Sequence, residues 1–436
     1  MRVLLFRSLC DTGGLSTWML THGERLVHHG TECSYWFCEP SWRLPEFERT
    51  APTTVAPMAR AMVAVRDGRY DVVHVVSTDP IAELFGFFHP QVKVVATNHG
   101  ALSEAWSSRN CFARTAVSAA QARMDQPHTD LEVEAIRNGV PAGRFAPPEC
   151  RSDGGPIVAF VGRTRAFEQK DFPRFTRIAK LLERRGYRFW VADPHGGSWK
   201  DFAGKGCAEV ELERWEQVPQ EAMPGFYRDV AASGGVLLMT SRFEGLTLVP
   251  LEAAMSGLGT IAPSVPGVDE TVRPGITGML YALEDSDASV AERVVRWIEN
   301  QGRDTSAMLE RAELTRADFS DERMTQQYLD LYARSEQRVH REAAHLNGDA
   351  GARPDVLVRR LRASRRVRAM ACRAVARDLA NAGEPGLAWR TLRHAISVEP
   401  RVAIGRASTA QALGTLLRIA RSGLGASPLH GKSTAP

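Results

Sequence analysis

The sequence has no long apolar run of the kind that membrane proteins carry. In 436 residues, no run approaches the roughly 20 apolar residues that span a bilayer. The start, "MRVLLFRSLCDTGG", has a short apolar run but no long h-region and no small-residue cleavage site. We therefore expect neither a membrane-spanning helix nor a signal peptide, and this start is typical of a first strand.

Cysteine patterns that would indicate metal sites or disulfides are also missing. The seven cysteines are an odd number and none falls in CxxC spacing. This usage excludes a zinc finger or disulfide framework and predicts reduced thiols in the cytoplasm. The GxGxxG motif of nicotinamide-binding folds is absent as well, which disfavours a dehydrogenase.

Lysine is scarce, with 6 of the 55 basic residues, and this with abundant alanine indicates a GC-rich bacterial source. Basic charge is concentrated at the end, because residues 335–436 carry 18 Lys and Arg against 7 Asp and Glu. The Arg-rich stretch 355–377 predicts contact with anionic lipid headgroups at the inner membrane face or with an acidic partner. The alternative is a solvated helical add-on. No nucleic-acid-binding module is present, so we expect no nucleic-acid partner.

Short β-branched or aromatic runs alternate with amphipathic stretches along most of the chain. We predict strands at 2–6, 33–37, 71–76, 92–97, 156–163, 187–192, 208–212, 235–240 and 259–263, and helices at 15–29, 56–67, 80–88, 171–186, 219–232, 247–257 and 318–338. Such alternation predicts an α/β protein with two doubly wound, Rossmann-like domains that face a cleft. A stretch rich in Pro and Gly, 137–156, separates them.

The expected domains are 1–150, 151–338 with Ser320 capping its closing helix, a basic helical extension at 339–422, and a disordered tail at 423–436. In the extension, the Ala/Leu spacing and the turn "NAGEP" resemble one hairpin of the tetratricopeptide type.

Residues suited to a phosphorylated ligand follow several predicted strands. Gly13 and Gly14 allow the backbone to approach a phosphate, while Arg163 and Lys170 suit a diphosphate. His99 follows another strand and can accept a proton or hydrogen-bond a substrate. Each also has a plainer interpretation as a tight turn, solvated charges or a surface histidine.

The stretch "SRFEGLTLVPLEAA" at 241–254 gives the sharpest signal. Thr247 is expected to cap a helix that carries Glu252, while Glu244 lies in the preceding loop. The free amides near Gly245, Leu246 and Thr247 then form an anion site with a carboxylate on either side. This arrangement suits a nucleotide sugar, with one carboxylate on ribose hydroxyls and the other on sugar hydroxyls.

Residues 1–334 resemble the family 4 glycosyltransferases, retaining enzymes of GT-B fold that use nucleotide sugars. The resemblance rests on the E-x₇-E pair Glu244 and Glu252, and on Gly-Gly at 13–14, "TNHG" at 97–100, "IRNGVPAGRF" at 136–145, "VGR" at 161–163 and "GVDETVRPGITGMLY" at 267–281.

By this resemblance Glu244 contacts the donor sugar and Glu252 the ribose, Gly14 lies against the diphosphate, and His99 lines the acceptor side. Arg163 and Lys170 hold the diphosphate, with Arg165 competing for that role. The first-domain acceptor region, with Trp36 and Trp42, matches no particular subgroup.

The expected function is therefore transfer of a sugar from a nucleotide-diphosphate sugar to a hydroxyl acceptor with retention. The cations and the helix end would stabilise the departing diphosphate, so no metal or other cofactor is expected. The alternatives are an inactive protein that binds a nucleotide sugar or glycan, and a GT-B nucleotide-sugar epimerase.

Overall fold

The structure is a computed structural model. It describes residues 1–10, 13–76, 81–100, 110–129, 131–165, 167–193, 206–216, 218–336, 369 and 372–398. Residues 339–368, 370–371 and 399–422 of the predicted basic extension, and the predicted tail 423–436, lie outside these residues.

The first domain is built on a seven-stranded parallel sheet. Its strand order is β3-β2-β1-β4-β5-β6-β7. The strands are β1 (Arg2–Arg7), β2 (Glu32–Phe37), β3 (Thr53–Val55), β4 (Val72–Val76), β5 (Lys93–Asn98), β6 (Ala113–Ala116) and β7 (Val133–Ala135). The helices between them are α1 (Gly14–His28), α2 (Leu44–Glu48), α3 (Met58–Arg66), α4 (Ile81–Phe88) and α5 (Ala119–Asp125).

The second domain repeats the plan with a six-stranded parallel sheet in the order β10-β9-β8-β11-β12-β13. Its strands are β8 (Ile157–Val161), β9 (Arg188–Asp193), β10 (Glu213–Glu216), β11 (Val236–Leu238), β12 (Thr260–Pro263) and β13 (Gly278–Tyr281). Its helices are α6 (Phe167–Lys170), α7 (Phe172–Leu182), α8 (Met223–Ala232), α9 (Val249–Met255), α10 (Asp287–Gln301) and α11 (Thr305–Phe319).

The predicted strand at 208–212 is wrong, because the edge strand is β10, a few residues later. Val210 and Leu212 do pack against the core, but from an irregular segment. Trp215 then contacts Trp190 of the neighbouring strand, with ring centroids 5.2 Å apart. Apolar alternation alone does not distinguish these two neighbouring stretches.

Helix α12 (Asp321–Ala333) begins where predicted, since the Ser320 hydroxyl accepts a hydrogen bond from the Arg323 amide at 3.3 Å. The prediction that it closes the second domain does not match its packing. Its buried side chains, including Tyr328 and Tyr332, join the core around β1 and α1 of the first sheet. The chain thus returns to the first domain after completing the second.

A helical hairpin follows, formed by α13, which covers 372–381, and α14 (Pro385–Val398). The turn at 382–384 lies at the predicted "NAGEP". Cys372, Leu379 and Leu387 are buried in the same core as α3 and α4. The described part of the extension is therefore packed on the first domain. Among the described helices, none has both the length and the apolar character that crossing a bilayer requires.

Candidate active site

The cleft between the two domains encloses about 550 Å³ and is lined from both sides. Its lining is Gly13, Gly14, Leu15, Thr17, Trp42, Arg43, His99, Gly100, Asn138, Val161, Gly162, Arg163, Gln169, Lys170, Ala192, Val218, Gln220, Met223, Phe243, Glu244, Gly245, Leu246, Thr247, Leu248, Val249 and Glu252. Ten of the residues that the sequence analysis selected are among them, whereas Arg165, which competes with them for the diphosphate role, is exposed and does not line the cleft. Their chemical roles remain predictions.

The sheet topology explains this convergence. Strand order reverses between β1 and β4 in the first sheet, and between β8 and β11 in the second. Ligands of open α/β sheets bind at the carboxyl ends of strands at such reversal points. Gly13 and Gly14 follow β1, Arg163 and Lys170 follow β8, and the loop with Glu244 follows β11.

Lys170 and Glu244 form an ion pair at the centre of the cleft. Lys170 Nζ lies 2.5 Å from Glu244 Oε1, and both side chains are nearly buried. Gln169 donates to the other oxygen of Glu244 at 3.4 Å and accepts from the exposed Arg163 at 2.9 Å. The three charged side chains are thus held as one connected group.

The backbone after Lys170 is strained. Asp171 has φ of 44°, a left-handed conformation that is uncommon for a residue other than glycine. Its carboxylate caps α7 through the Arg174 amide at 3.3 Å and pairs with Arg242 at 2.9 Å. These contacts offset the strain and fix where α6 ends and Lys170 projects.

Glu252, on the first turn of α9, is almost fully buried yet lines the cleft. The Tyr227 hydroxyl donates to its Oε2 at 2.9 Å, and Gln220 donates to Oε1 at 3.2 Å. Burial raises the pKa of Glu252, and these two hydrogen bonds oppose that rise. Burial also raises the pKa of Tyr227 well above its usual value, so its hydroxyl stays protonated and acts as the donor.

The prediction that Thr247 caps α9 is wrong. The helix begins at Val249 with Leu248 at the capping position, and no side chain caps it. Pro250 occupies the first turn, where its missing N–H removes no helical bond. Thr247 is buried and lines the cleft from the loop before the helix.

That loop touches the first domain directly. A Cβ on Gly245 would lie 2.4 Å from the His99 carbonyl oxygen, so only a glycine fits this approach. Asn138, in the crossover between the domains, donates to the Leu246 carbonyl at 2.9 Å. Its Oδ1 is buried and has no hydrogen-bond partner among the described residues.

A second contact joins the two domains. The Glu270 carboxylate of the second domain accepts bonds from the Ala119 and Ala120 amides, at 3.0 and 2.8 Å, at the start of α5. A carboxylate is favourable at a helix N-terminus because the exposed amides and the helix dipole are positive there.

His99 lies between the cleft and the first-domain core. Its ring packs edge-on against Trp18 at 4.7 Å between centroids, and its Nε2 is buried and has no partner in the described chain. Burial, with His74 and Arg7 nearby, lowers the pKa of His99 well below its usual value. The ring is therefore neutral near pH 7, which favours hydrogen bonding over uptake of a proton.

Metal ligands do not converge in this cleft as far as the chain is described. The cluster with suitable spacing is His28, His29 and Glu322, all exposed, where α1 ends and α12 begins. His29 and Glu322 already pair with each other at 2.8 Å.

The second-domain wall of the cleft lies in a part of the chain that is similar to a known family. Residues 155–300 match the family model described as "Glycosyl transferases group 1". This part of the chain, about a third of its length, is similar to the glycosyltransferase domains of that family.

Curated relatives agree over limited lengths. The chain is 30% identical over 133 residues to an uncharacterized 41.2 kDa protein in the cps region of Klebsiella pneumoniae, covering 30% of this chain and 34% of that protein. It is 29% identical over 188 residues to D-inositol 3-phosphate glycosyltransferase of Frankia alni, covering 40% and 45%. The chain thus spans about a third to a half of these relatives' lengths.

Solved structures extend the likeness to both domains. Sucrose-phosphate synthase from Thermosynechococcus elongatus aligns with a TM-score of 0.60 at 18% identity, over 76% of this chain and 98% of that one. Anabaena HepE in complex with UDP-glucose aligns with a TM-score of 0.59 at 16% identity, over 76% and 98%. The fold is GT-B.

Several cleft residues were not selected from the sequence. Asn138 lies in "RNGVPAG", where Asn-Gly is typical of a turn, so this segment indicates a linker and contributes to the family resemblance but does not indicate a cleft contact for Asn138. Tyr227 and Gln220 reach Glu252 from a distant segment, and no local pattern indicates that contact. Of the two tryptophans in the predicted acceptor region, Trp36 is buried and donates to the Ala56 carbonyl, whereas Trp42 lines the cleft.

Proposed function

We propose that the protein is a family 4 glycosyltransferase that moves a sugar, with retention, from a nucleotide-diphosphate sugar to a hydroxyl acceptor. The observation that carries the proposal is the convergence of Arg163, Lys170, Glu244 and Glu252 at the second domain's reversal point, facing His99 across one cleft. Binding of UDP-glucose by the structurally similar HepE supports the choice of donor class.

In the proposed donor complex, Arg163 and Lys170 bind the diphosphate and Glu252 binds the ribose hydroxyls. Glu252 suits this role because Tyr227 and Gln220 hold its carboxylate in one orientation at the cleft wall. Glu244 binds the hydroxyls of the transferred sugar. Asn138 offers a further acceptor for a sugar hydroxyl, since its buried Oδ1 has no partner within the described residues.

The Lys170–Glu244 pair gives the donor a defined entry step. Without a donor, the Lys170 ammonium and the Glu244 carboxylate pair with each other at 2.5 Å. A diphosphate carries more negative charge than one carboxylate, so Lys170 exchanges Glu244 for the phosphate oxygens. That exchange releases Glu244 to accept hydrogen bonds from the sugar.

During transfer, the bond between the anomeric carbon and the diphosphate oxygen breaks and the acceptor oxygen bonds to the same face. The acceptor proton passes to the departing diphosphate oxygen. Arg163 and Lys170 stabilise the negative charge that develops there, and such a contact contributes about 2–4 kcal/mol. Neutral His99 orients the reacting hydroxyls, so the scheme requires no metal.

The test is a thermal-shift panel of UDP-, GDP-, ADP- and dTDP-sugars, followed by mass analysis of products with hydroxyl acceptors. We expect one nucleotide class to raise the melting temperature and to be turned over. Glu244→Gln should lose transfer by at least a hundredfold while nucleoside diphosphate still binds. Glu292→Gln, an exposed change on α10, is the control.

Near-normal transfer by Glu244→Gln would refute the assignment. Tight nucleotide-sugar binding with neither hydrolysis nor transfer would instead identify a binding protein. Appearance of an epimerised nucleotide sugar without an acceptor product would identify the epimerase.

A further inference from the structure

The acceptor side of the cleft carries a large exposed aromatic ring. Trp42 is 57% exposed, whereas Trp18, Trp36, Trp190 and Trp297 are all buried. It lines the cleft from the first domain, and Phe243, 37% exposed, lines it from the second. Leaving so much apolar surface in water is unfavourable, so a ring held at a cleft wall indicates a surface that a ligand covers.

The segment that carries Trp42 is firmly anchored. The next residue, Arg43, is 4% exposed and binds Glu46 at 2.7 Å. Arg43 also donates to Thr17 on α1 at 3.3 Å, and its amide donates to Ser41 at 3.2 Å. The indole is therefore presented on a fixed turn, which reduces the entropy lost when a ligand stacks on it.

As far as the structure describes this wall, it offers no unpaired charge. Among the described first-domain residues that line the cleft, Arg43 is the charged one, and its guanidinium is committed to Glu46 and Thr17. The cations Arg163 and Lys170 stand on the opposite, donor wall. A phosphorylated acceptor would need a positive partner here, whereas a neutral acceptor needs none.

The wall also supplies hydrogen-bonding groups to the same cleft, at Thr17, His99 and the backbone of Gly100. A lipid chain would be matched by a continuous apolar groove. A pyranose matches both the ring and the polar groups of this wall. Its C–H face stacks on the electron-rich face of an indole, and its hydroxyls hydrogen-bond to polar neighbours.

We propose that the acceptor is a neutral saccharide whose ring stacks on Trp42. This proposal rests on the proposed transferase function and extends it to the acceptor class. Trp42 then determines acceptor specificity without touching the donor.

The experiment measures binding and transfer separately. Saturation-transfer NMR with the nucleoside diphosphate present records binding of methyl glycosides and of lactose, and of glucose 6-phosphate and inositol phosphate as charged probes. Transfer kinetics use whichever probe is glycosylated. The variants are Trp42→Ala, Trp42→Phe and the control Trp389→Ala, which removes a 42% exposed indole from the distant helix α14.

We expect neutral saccharides to receive saturation and Trp42→Ala to abolish it. We also expect Trp42→Ala to raise the acceptor KM about ten- to hundredfold with the donor KM within twofold, Trp42→Phe to lie between, and Trp389→Ala to match the wild type. Because Trp42 is exposed, its removal should leave the melting temperature within a few degrees of the wild type.

Binding of the charged probes in preference to neutral ones would overturn the proposal, as would no saccharide signal, or equal signals in wild type and Trp42→Ala. Failure of the transferase function gives a different result, namely no donor turnover, with or without nucleotide binding, whatever the saccharide signal shows.

Discussion

Gly245, in the loop that carries Glu244, lies against the backbone of His99 in the first domain, and Gly245→Ala tests whether that close approach matters. The new Cβ would lie 2.4 Å from the His99 carbonyl oxygen, a backbone atom that cannot rotate away. Ordinary contact begins near 3.4 Å, so the loop and His99 must separate by roughly 1 Å. The φ of Gly245 is not left-handed, so alanine fits the local backbone and only the lack of space opposes it.

A shift of about 1 Å between reacting partners can lower catalysis about a hundredfold, which is about 2.7 kcal/mol of transition-state stabilisation. We therefore expect Gly245→Ala to reduce kcat/KM for transfer about a hundredfold. Nucleoside diphosphate affinity should fall much less, because Arg163 and Lys170 lie on other elements. Steady-state kinetics and calorimetry measure the two effects.

The matched control is Gly225→Ala, since a Cβ on that helical glycine meets nothing within 4 Å. Alanine favours helix, so this variant should keep its activity and gain about 0.5–1 kcal/mol of stability. If Gly245→Ala transferred sugar at the wild-type rate with an unchanged melting temperature, close contact between loop and wall would not be needed for catalysis.

Three further predictions concern buried titratable groups. Tyr227→Phe removes a hydrogen bond that lowers the pKa of Glu252, so that pKa should rise further in the variant. Nucleotide affinity should fall about tenfold, and it should weaken further as the pH is lowered and Glu252 becomes protonated. A loss of affinity that does not depend on pH would contradict this prediction. Glu252→Gln should lose nucleotide binding, yet its melting temperature at pH 7.5 should be no lower than that of the wild type. The pKa of Glu252 is raised in the folded protein, so its ionised form lowers the stability of the wild type at that pH. The stability of the variant relative to the wild type should therefore decrease toward acid pH. Burial lowers the pKa of His74 to about 3, below the value near 6.5 that it has in the unfolded chain. Neutral His74 therefore makes its full contribution to the free energy of unfolding above pH 6.5, and this contribution is lost as the pH falls. Equal urea midpoints at pH 7.5 and 5.0 would refute this prediction.

The fold was accessible from the sequence because each buried parallel strand is a short, almost wholly apolar run. Strand β1, with Val3 to Phe6 fully buried, and strand β8, "IVAFV", show this directly. The central strands of both sheets follow from that alternation, whereas the short strands β3, β6, β7 and β13 do not. The packing of α12 does not follow from its sequence, because the pattern of an amphipathic helix shows which face is buried but not against which sheet that face packs.

The site was accessible for a related reason. Residues just after the strands of one parallel sheet lie at the same edge, so the sequence groups Arg163 with Glu244. Gly13 belongs to the other sheet, and the family resemblance is what groups it with them. Contacts between distant segments leave no such periodic signal. The bond from Tyr227 to Glu252 joins residues 25 apart, and Asn138 reaches Leu246 from 108 residues away.

The interdomain contacts indicate why the two walls act together. Gly245 abuts His99, and Gly267, beside Glu270, packs against the backbone of Glu244 and Gly245. Glu270 in turn binds the start of α5. Helix α5 in turn holds Asn98, the residue before His99, because the Asn98 amide donates to Asp125 at 2.7 Å. The loop that carries Glu244 is thus linked to His99 by two routes, one through Gly245 and one through Glu270 and α5. The Glu244 loop and His99 therefore contact each other directly and are also joined through Glu270, so a shift of one domain against the other must break or rearrange these contacts.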